Sequence, residues 1–180
     1  FSINPKHTMA FCDEIEKSGR KFRLLVETHL NNASDGLAQR LFDVGLRTVF
    51  VGIESATPEV MNDAKRFTIE LEEQKARILQ LEKIGVKVKA MFILGFPTDT
   101  VESCRNTIQF AKELCTAFAI FCVFTPYPGT PIFSEYADRI TTTRFEDFTQ
   151  WNLVFDHDEI TPREIRNLLD SGHTGHYTNP

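Results

Sequence analysis

The apolar run at residues 86–97, VKVKAMFILGFP, constrains the fold more than any other stretch of the chain. It opens after Gly85, is rich in β-branched and aromatic residues, and stops at a Gly-Phe-Pro turn, which predicts a strand that is buried on both faces. Such strands belong mostly to parallel sheets that are covered by helices. Because the ligands of α/β proteins collect at the carboxyl ends of the strands, residues 95–99 are the first place to expect a binding site.

Three more apolar runs alternate with helical segments along the chain. Strands are predicted at residues 22–28, 48–53, 86–94 and 117–125. Asn4 begins a first helix that Gly19 ends, and a capping box at residues 161–164 begins a last helix that Gly172 ends. The alternation predicts right-handed βαβ units and a parallel sheet, either curved into part of a barrel or left open.

The composition excludes several classes of protein. With 180 residues, of which 42% are hydrophobic and 25% charged, the chain suits one globular domain or a large piece of one. A net charge of -5 without a dense basic patch argues against nucleic-acid binding. No apolar run approaches the roughly 20 residues that span a bilayer, and no secretory leader is visible, so we expect no membrane span and a cytoplasmic location.

The cysteines and histidines show no metal-binding spacing. The cysteines are too scattered for a disulfide framework or a zinc site, and Cys104 and Cys115, which share one helix face, are expected to be buried as small hydrophobic side chains. The three C-terminal histidines are expected to be exposed to solvent. The residues concerned are Cys12, Cys104, Cys115 and Cys122, with His157, His173 and His176.

Polar side chains are predicted at the carboxyl ends of the strands. Glu27 lies near the end of the first, Glu54 and Ser55 follow the second, and Gly95 follows the third. Carboxylates at strand ends can bind ribose hydroxyls or an ammonium group, and a glycine lets a ligand approach the backbone. The same acids could instead stabilise the N-termini of neighbouring helices. Arg66, between two helical segments, could bind a substrate carboxylate or be solvated.

Three motifs go beyond this generic pattern: VGIESATPEVMN at residues 51–62, KVKAMFILGFPTDT at 87–100 and FTPYPGTPIF at 124–133. In this order they resemble the second half of the core of the radical S-adenosylmethionine superfamily. The most similar group carries an N-terminal cobalamin-binding domain and includes the anaerobic magnesium-protoporphyrin monomethyl ester cyclase and hopanoid-modifying enzymes. The resemblance implies a partial parallel (β/α) barrel, strands three to six of a (β/α)6 core, at residues 1–129, and a C-terminal extension packing on it at 130–180.

The resemblance also implies cofactors that this chain cannot hold alone. In the superfamily a 4Fe-4S cluster, bound by three cysteines in a CxxxCxxC motif, transfers an electron to S-adenosylmethionine, and cleavage gives a 5'-deoxyadenosyl radical. No cysteine here has that spacing. The cluster ligands, and any cobalamin domain, are therefore expected in an upstream part of the same protein, of which this chain would be an inactive fragment.

The implied reaction is the cyclisation or methylation of an unactivated carbon, so the parent protein would be an oxidoreductase or methyltransferase. Its substrate would be a small molecule that is apolar or tetrapyrrole-like.

The resemblance further implies which residues bind S-adenosylmethionine. Glu54 stands where relatives hold the ribose, and Arg66 stands at the spacing of a residue that binds the methionine carboxylate. Ile93 and Gly95 match the GxIxGxxE pattern, which packs against adenine. The match is incomplete, because Ala90 replaces a common glycine and Thr98-Asp99 replaces Gly-Glu. The full predicted set is Glu27, Glu54, Ser55, Arg66, Ile93, Gly95 and Pro97.

Two other functions remain open. The chain could be a non-catalytic half-barrel module that binds a nucleotide or a protein partner through the exposed edge of the strand at 22–28. A cluster motif upstream would favour catalysis, and a natural start near Phe1 would favour the module. A barrel lyase or aldolase is disfavoured, because no lysine stands at the carboxyl end of a strand to form a Schiff base.

Overall fold

The computed structural model describes residues 1–32, 35–64, 70–114 and 116–177, along which helices and strands alternate in the predicted order. The strands are β1 (Leu24–Thr28), β2 (Leu46–Glu54), β3 (Lys87–Leu94) and β4 (Phe118–Val123). The helices are α1 (Pro5–Lys17), α2 (Asp35–Asp43), α3 (Pro58–Asp63), α4 (Leu71–Lys83), α5 (Val101–Leu114), α6 (Pro131–Glu135) and α7 (Pro162–Tyr177). Across the described ranges, none of these helices is long and apolar enough to cross a membrane.

The four strands form one sheet in the order β1-β2-β3-β4. β1 and β2 run parallel, and their register pairs Leu25 with Thr48 and Glu27 with Phe50. Each strand is hydrogen-bonded to the next one along the chain, and helices lie between them in sequence, as in successive βαβ units. The predicted α/β class with a parallel sheet is confirmed.

Only one face of β3 and β4 is fully buried, so the prediction of strands buried on both faces is wrong. In β3 the alternate residues Lys89, Met91 and Ile93 are half-buried, and β4 shows the same alternation. The sequence hides this, because most residues on the open face of both strands are apolar as well. The residues of β3 with no exposed surface are Val88, Ala90, Phe92 and Leu94.

The chain divides into two compact units. The first consists of Phe1–Ile53, Thr68–Met91 and Leu114–Ile120, and the second of Glu54–Phe67, Phe92–Glu113 and Phe121–Pro180. The carboxyl ends of β2, β3 and β4 therefore all belong to the second unit. The residues of the predicted C-terminal extension belong to it too; the predicted boundary after residue 129 stays a prediction.

In the first unit, α1 is fixed by its cap and by ion pairs. The side chain of Asn4 accepts a hydrogen bond from the backbone N–H of His7 at 3.2 Å, as its predicted capping role requires. Arg40 of α2 forms ion pairs with Asp13 and Glu16 of α1 at 2.8 and 2.7 Å. These contacts hold the two helices together within this unit.

In the second unit, α7 is longer than predicted. The capping box is confirmed: Glu164 Oε2 accepts the backbone N–H of Thr161 at 2.8 Å, and Thr161 Oγ1 accepts that of Glu164 at 3.3 Å. Gly172, however, does not end the helix, which continues to Tyr177. A Cβ at position 172 would lie 2.9 Å from the ring of Phe121, so this glycine allows α7 to pack closely on β4.

Candidate functional site

Left-handed backbone occurs at the carboxyl ends of both β2 and β3. Gly95, directly after β3, has φ 75°, and Glu54, the last residue of β2, has φ 69°. A glycine adopts this conformation freely, whereas another residue pays about 1–2 kcal/mol for it. Such strain concentrates at functional sites, where the surrounding structure holds it in place. Among the predicted site residues, Glu54 therefore has the strongest structural mark of a function.

Ser55 holds the turn that follows Glu54. Its hydroxyl is buried, accepts the backbone N–H of Thr57 at 3.1 Å and lies 3.2 Å from Thr107 Oγ1. The Thr107 hydroxyl also accepts the backbone N–H of Ala56 at 3.1 Å. The hydroxyl of Ser55 thus holds the turn next to Glu54; its part in cofactor binding stays a prediction.

The peptide of Phe96, in the loop after β3, is held from both sides. The carboxylate of Asp99 accepts its N–H at 2.9 Å, and His157 Nε2 lies 2.8 Å from its carbonyl oxygen. The other ring nitrogen, Nδ1, accepts the backbone N–H groups of Glu159 and Ile160 at 3.1 and 3.2 Å. Nε2 therefore carries the proton and donates to the Phe96 carbonyl. The loop that contains the predicted residues Gly95 and Pro97 is thus fixed in advance.

Asp99 is a structural acid. It is 1% exposed and also accepts the hydroxyl of Ser103 at 2.5 Å, at the start of α5. Burial raises the pKa of its carboxyl, and the hydrogen bonds from Ser103 and from the N–H of Phe96 lower it. Asp99 therefore links the loop after β3 to the first turn of α5. The aspartate in place of the family's glutamate therefore lies inside the protein.

The remaining predicted residues fall in different places. Ile93 and Pro97 belong to the second unit and face a cavity described below. Glu27 belongs to the first unit, and its register partner Phe50 is the middle residue of β2, so it does not reach the level of that strand's carboxyl end. Arg66 lies outside the described residues.

A cavity of about 510 Å³ lies within the second unit. Ile93, Pro97 and Phe96 line it from β3 and the loop that follows, and the rings of Phe96 and Phe124 pack 5.2 Å apart in its wall. Further lining residues come from α3 and α6. A cavity of this volume with both apolar and polar lining is typical of small-molecule sites. The aliphatic side chains of Ile93 and Pro97 offer an apolar surface to a flat base such as a purine.

The described cysteines do not fit an iron-sulfur cluster. Cys104 is fully buried in a helix, as predicted, and so is Cys12. Burial raises the pKa of both thiols, although the thiolate is the form that binds metals. Cys122 is half-buried on β4, and Cys115 lies outside the described residues. Within the described ranges, no group of three or more His, Cys, Asp or Glu side chains could hold a metal ion.

No protein-family model matches the chain. It is 28% identical to an uncharacterised methyltransferase of Pyrococcus horikoshii, over 100% of this chain and 39% of that protein. It is 23% identical to the anaerobic magnesium-protoporphyrin IX monomethyl ester cyclase of Rubrivivax gelatinosus, over 99% of this chain and 32% of that protein.

A solved structure shares the fold. The radical S-adenosylmethionine methyltransferase of Kitasatospora setae, determined with cobalamin and a 4Fe-4S cluster, superimposes with a TM-score of 0.65 at 20% identity. The match covers 74% of this chain and 28% of that one. The resemblance to the radical S-adenosylmethionine superfamily is confirmed. The chain spans well under half the length of each of these three proteins.

Two residues at this site, His157 and Tyr136, are not among those that the radical S-adenosylmethionine resemblance implies. His157 was expected to be exposed, which is wrong, because its ring is bonded on both nitrogens. The same prediction is wrong for His173 and His176, which are half-buried. Tyr136, which follows α6, lines the cavity and is absent from the predicted site residues. Its ring contacts, Phe124 and Phe155, lie 12 and 19 positions away in the chain, and no local pattern in the sequence encodes them.

Proposed function

We propose that the chain binds S-adenosylmethionine at the carboxyl ends of β2 and β3, as part of a radical S-adenosylmethionine enzyme. The observation that carries this proposal is the left-handed backbone of Glu54. That strain has a reason if the carboxylate is needed at this point for a ligand. The family resemblance supplies the ligand, since its members hold the ribose at this position.

In this proposal, different residues of the second unit bind different parts of S-adenosylmethionine. The carboxylate of Glu54 accepts hydrogen bonds from the ribose hydroxyls, and the buried hydroxyl of Ser55 keeps the turn in place. Ile93 and Pro97 form an apolar wall for adenine. Gly95 lets the chain turn between these two residues, and the side chain of Ile165 packs against it. The contributions of Glu27 and Arg66 stay predictions.

Positioning and exclusion of water are the protein's share of the chemistry. When bound, the 4Fe-4S cluster supplies the electron that cleaves S-adenosylmethionine. Because the described cysteines do not fit the cluster, we assign its ligands, and any cobalamin site, to an upstream part of the same protein. The chain alone would then be inactive.

The proposed reaction in the full-length protein is the cyclisation or methylation of an unactivated carbon in a small molecule. The partly apolar cavity in the second unit supports an apolar or tetrapyrrole-like substrate. Residues 130–180 contribute α6 and α7, and through α6 they form part of the cavity wall. The cytoplasmic location and the lack of a nucleic-acid partner stay predictions.

A second candidate is the non-catalytic module. Phe22 is 45% and Leu25 58% exposed, next to and within β1, which stands at one end of the strand order. An apolar strand at a sheet edge is a template for pairing with another chain. This observation favours a protein partner over a nucleotide for such a module.

The deciding experiment is anaerobic iron-sulfur reconstitution of the full-length protein, followed by an assay for 5'-deoxyadenosine. The proposal predicts its formation, and an about tenfold decrease in Glu54→Gln at limiting S-adenosylmethionine, because a hydrogen bond to a charged group is lost. Glu59→Gln, an exposed acid in α3, is the matched control. No 5'-deoxyadenosine from a protein with an intact cluster motif would reject the enzymatic function and favour the module.

A further inference from the structure

The cavity of the second unit has a second wall, on the side of α3 and α6. Asp63, the last residue of α3, and Glu135, the last of α6, line it together with Tyr136. The strand side of the cavity, with Ile93 and Pro97, is the side assigned above to S-adenosylmethionine. The wall formed by Asp63, Glu135 and Tyr136, here called the acidic wall, is left for the molecule on which the enzyme acts.

The ring of Tyr136 is held firmly in the acidic wall. It packs edge-on against Phe155 and Phe124, with ring centroids 5.3 and 6.4 Å away. The guanidinium of Arg139 lies 6.0 Å from the ring centroid, and it donates two hydrogen bonds to Asp158, at 2.8 and 3.1 Å. The phenol hydroxyl has no hydrogen-bond partner within the described ranges, so it is available to a ligand.

The charges around this hydroxyl are mostly negative. Asp63 and Glu135 form no ion pair with any described residue, while Arg139, the cation on the Tyr136 ring, is paired with Asp158. Burial raises the pKa of Tyr136, the charges of Asp63 and Glu135 raise it further, and Arg139 lowers it. The phenol therefore stays protonated at neutral pH, and the acidic wall offers hydrogen-bond acceptors and two carboxylates that form no ion pair within the described part of the chain.

We propose that the acidic wall binds a positively charged or N–H-donating group on a substrate whose flat, apolar body lies against Phe96 and Phe124. Two carboxylates attract a cation and repel an anion, and aromatic faces add attraction for cations. This inference rests on the proposed function, which places S-adenosylmethionine against Ile93 and Pro97. It narrows the predicted substrate: an aromatic amine fits the cavity, and a tetrapyrrole that presents a carboxylate to this wall does not.

Matched probes of opposite charge test the proposal on the 180-residue chain. Tryptamine and indole-3-acetate share one aromatic body, and titration calorimetry gives the dissociation constant of each. We expect tryptamine to bind about tenfold more tightly at low salt, with the ratio falling as salt screens the carboxylates. In Asp63→Asn/Glu135→Gln the two constants should agree within about twofold.

A second double variant with the same net charge shows whether the tryptamine preference comes from the acidic wall or from the net charge of the protein. Glu159→Gln/Asp170→Asn removes two exposed acids that do not line the cavity, and it should keep the tryptamine preference. Tyr136→Phe should weaken tryptamine binding several-fold, because a hydrogen-bond partner is lost. Thermal unfolding of each variant shows that it is folded.

Three results would overturn the proposal: tighter or equal binding of indole-3-acetate, no binding of either probe, or a preference that survives in Asp63→Asn/Glu135→Gln. Binding of S-adenosylmethionine by the full-length protein, measured separately, reports on the proposed function. Glu54→Gln should weaken that binding and leave the tryptamine preference unchanged. A failure of the acidic wall is therefore distinguishable from a failure of the S-adenosylmethionine site.

Discussion

The turns after β2 and β3 share a left-handed backbone but differ in the residue that adopts it. At the end of β3 this residue is Gly95, with φ 75°, and at the end of β2 it is Glu54, with φ 69°. Where a turn needs only its backbone conformation, glycine adopts that conformation without strain. Where a carboxylate stands in the same conformation, the strain has to be offset by the surroundings. The comparison indicates that the turn after β3 is shaped for its backbone, and the turn after β2 for its side chain.

The two turns are also supported differently. Ser55 and Thr107 hold the turn after β2 with neutral hydroxyl groups. A buried carboxylate, Asp99, and the ring of His157 hold the peptide of Phe96 after β3. We expect the second arrangement to contribute more to stability, because hydrogen bonds to a charged group are stronger than those between neutral groups.

The largest effect is expected from Asp99→Ala, which removes the carboxylate that accepts the Phe96 N–H and the Ser103 hydroxyl. The buried N–H of Phe96 then lacks a partner, and Ser103 keeps only its bond to the Thr100 carbonyl oxygen, so the free energy of unfolding should fall by about 3 kcal/mol. Urea denaturation measures this value. Ser55→Ala, the corresponding change in the other turn, should cost about 1 kcal/mol. A larger loss for Ser55→Ala would reverse the comparison.

Gly95→Ala should lower the free energy of unfolding by about 2 kcal/mol. Alanine is strained at a left-handed φ, and its Cβ would lie 3.1 Å from Ile165 Cδ1. Gly129→Ala is the matched control, since φ is 87° there and no atom lies within 4 Å of the new Cβ; it should cost about 1 kcal/mol from strain alone. Equal stability of wild type and Gly95→Ala would remove the strain argument for Glu54 as well.

His157→Ala should lower the free energy of unfolding by about 1.5 kcal/mol. The backbone N–H groups of Glu159 and Ile160 lose their acceptor, and the Phe96 carbonyl keeps only its bond from the N–H of Asp99. His157→Asn is the informative companion: a short side-chain oxygen can still accept the N–H groups of Glu159 and Ile160 but cannot reach Phe96. We expect it to recover about half of the loss in urea denaturation. Full recovery would show that the bond to the Phe96 carbonyl contributes nothing.

Glu54→Gly should be more stable than Glu54→Ala by about 1 kcal/mol, because glycine relieves the strain of the left-handed backbone and loses only part of that gain to backbone entropy. Both variants remove the same carboxylate, and the same urea experiment measures the difference between them. Equal stability of the two variants would mean that the backbone at position 54 is not strained, and the contrast between the two turns would disappear.

The sequence predicts the order of elements well, and the exceptions have physical causes. Apolar runs bounded by turn residues place all four strands within a few residues, because strand burial and turn chemistry are local signals. The caps at Asn4 and at residues 161–164 are local in the same sense. The prediction that Gly172 ends the last helix is wrong, because this glycine allows close packing against Phe121, which lies 51 positions away in the chain.

The site is only partly readable from the sequence. The positions of Glu54 and Gly95 at strand ends follow from the pattern, but their shared backbone conformation does not. How far Glu27 lies from the carboxyl end of β2 depends on the register between β1 and β2. That register includes an irregularity between Leu24 and Leu25. His157 meets a partner 61 residues away, and no local pattern encodes such a contact.

The most direct test of the central claim is the affinity for S-adenosylmethionine of the full-length, cluster-reconstituted protein with Glu54→Gly. If the strained residue is kept for its carboxylate, affinity should fall about tenfold or more, since a charge-assisted hydrogen bond to the ligand is lost. An affinity equal to that of the wild type would contradict the account, because the carboxylate of Glu54 would then have no part in binding.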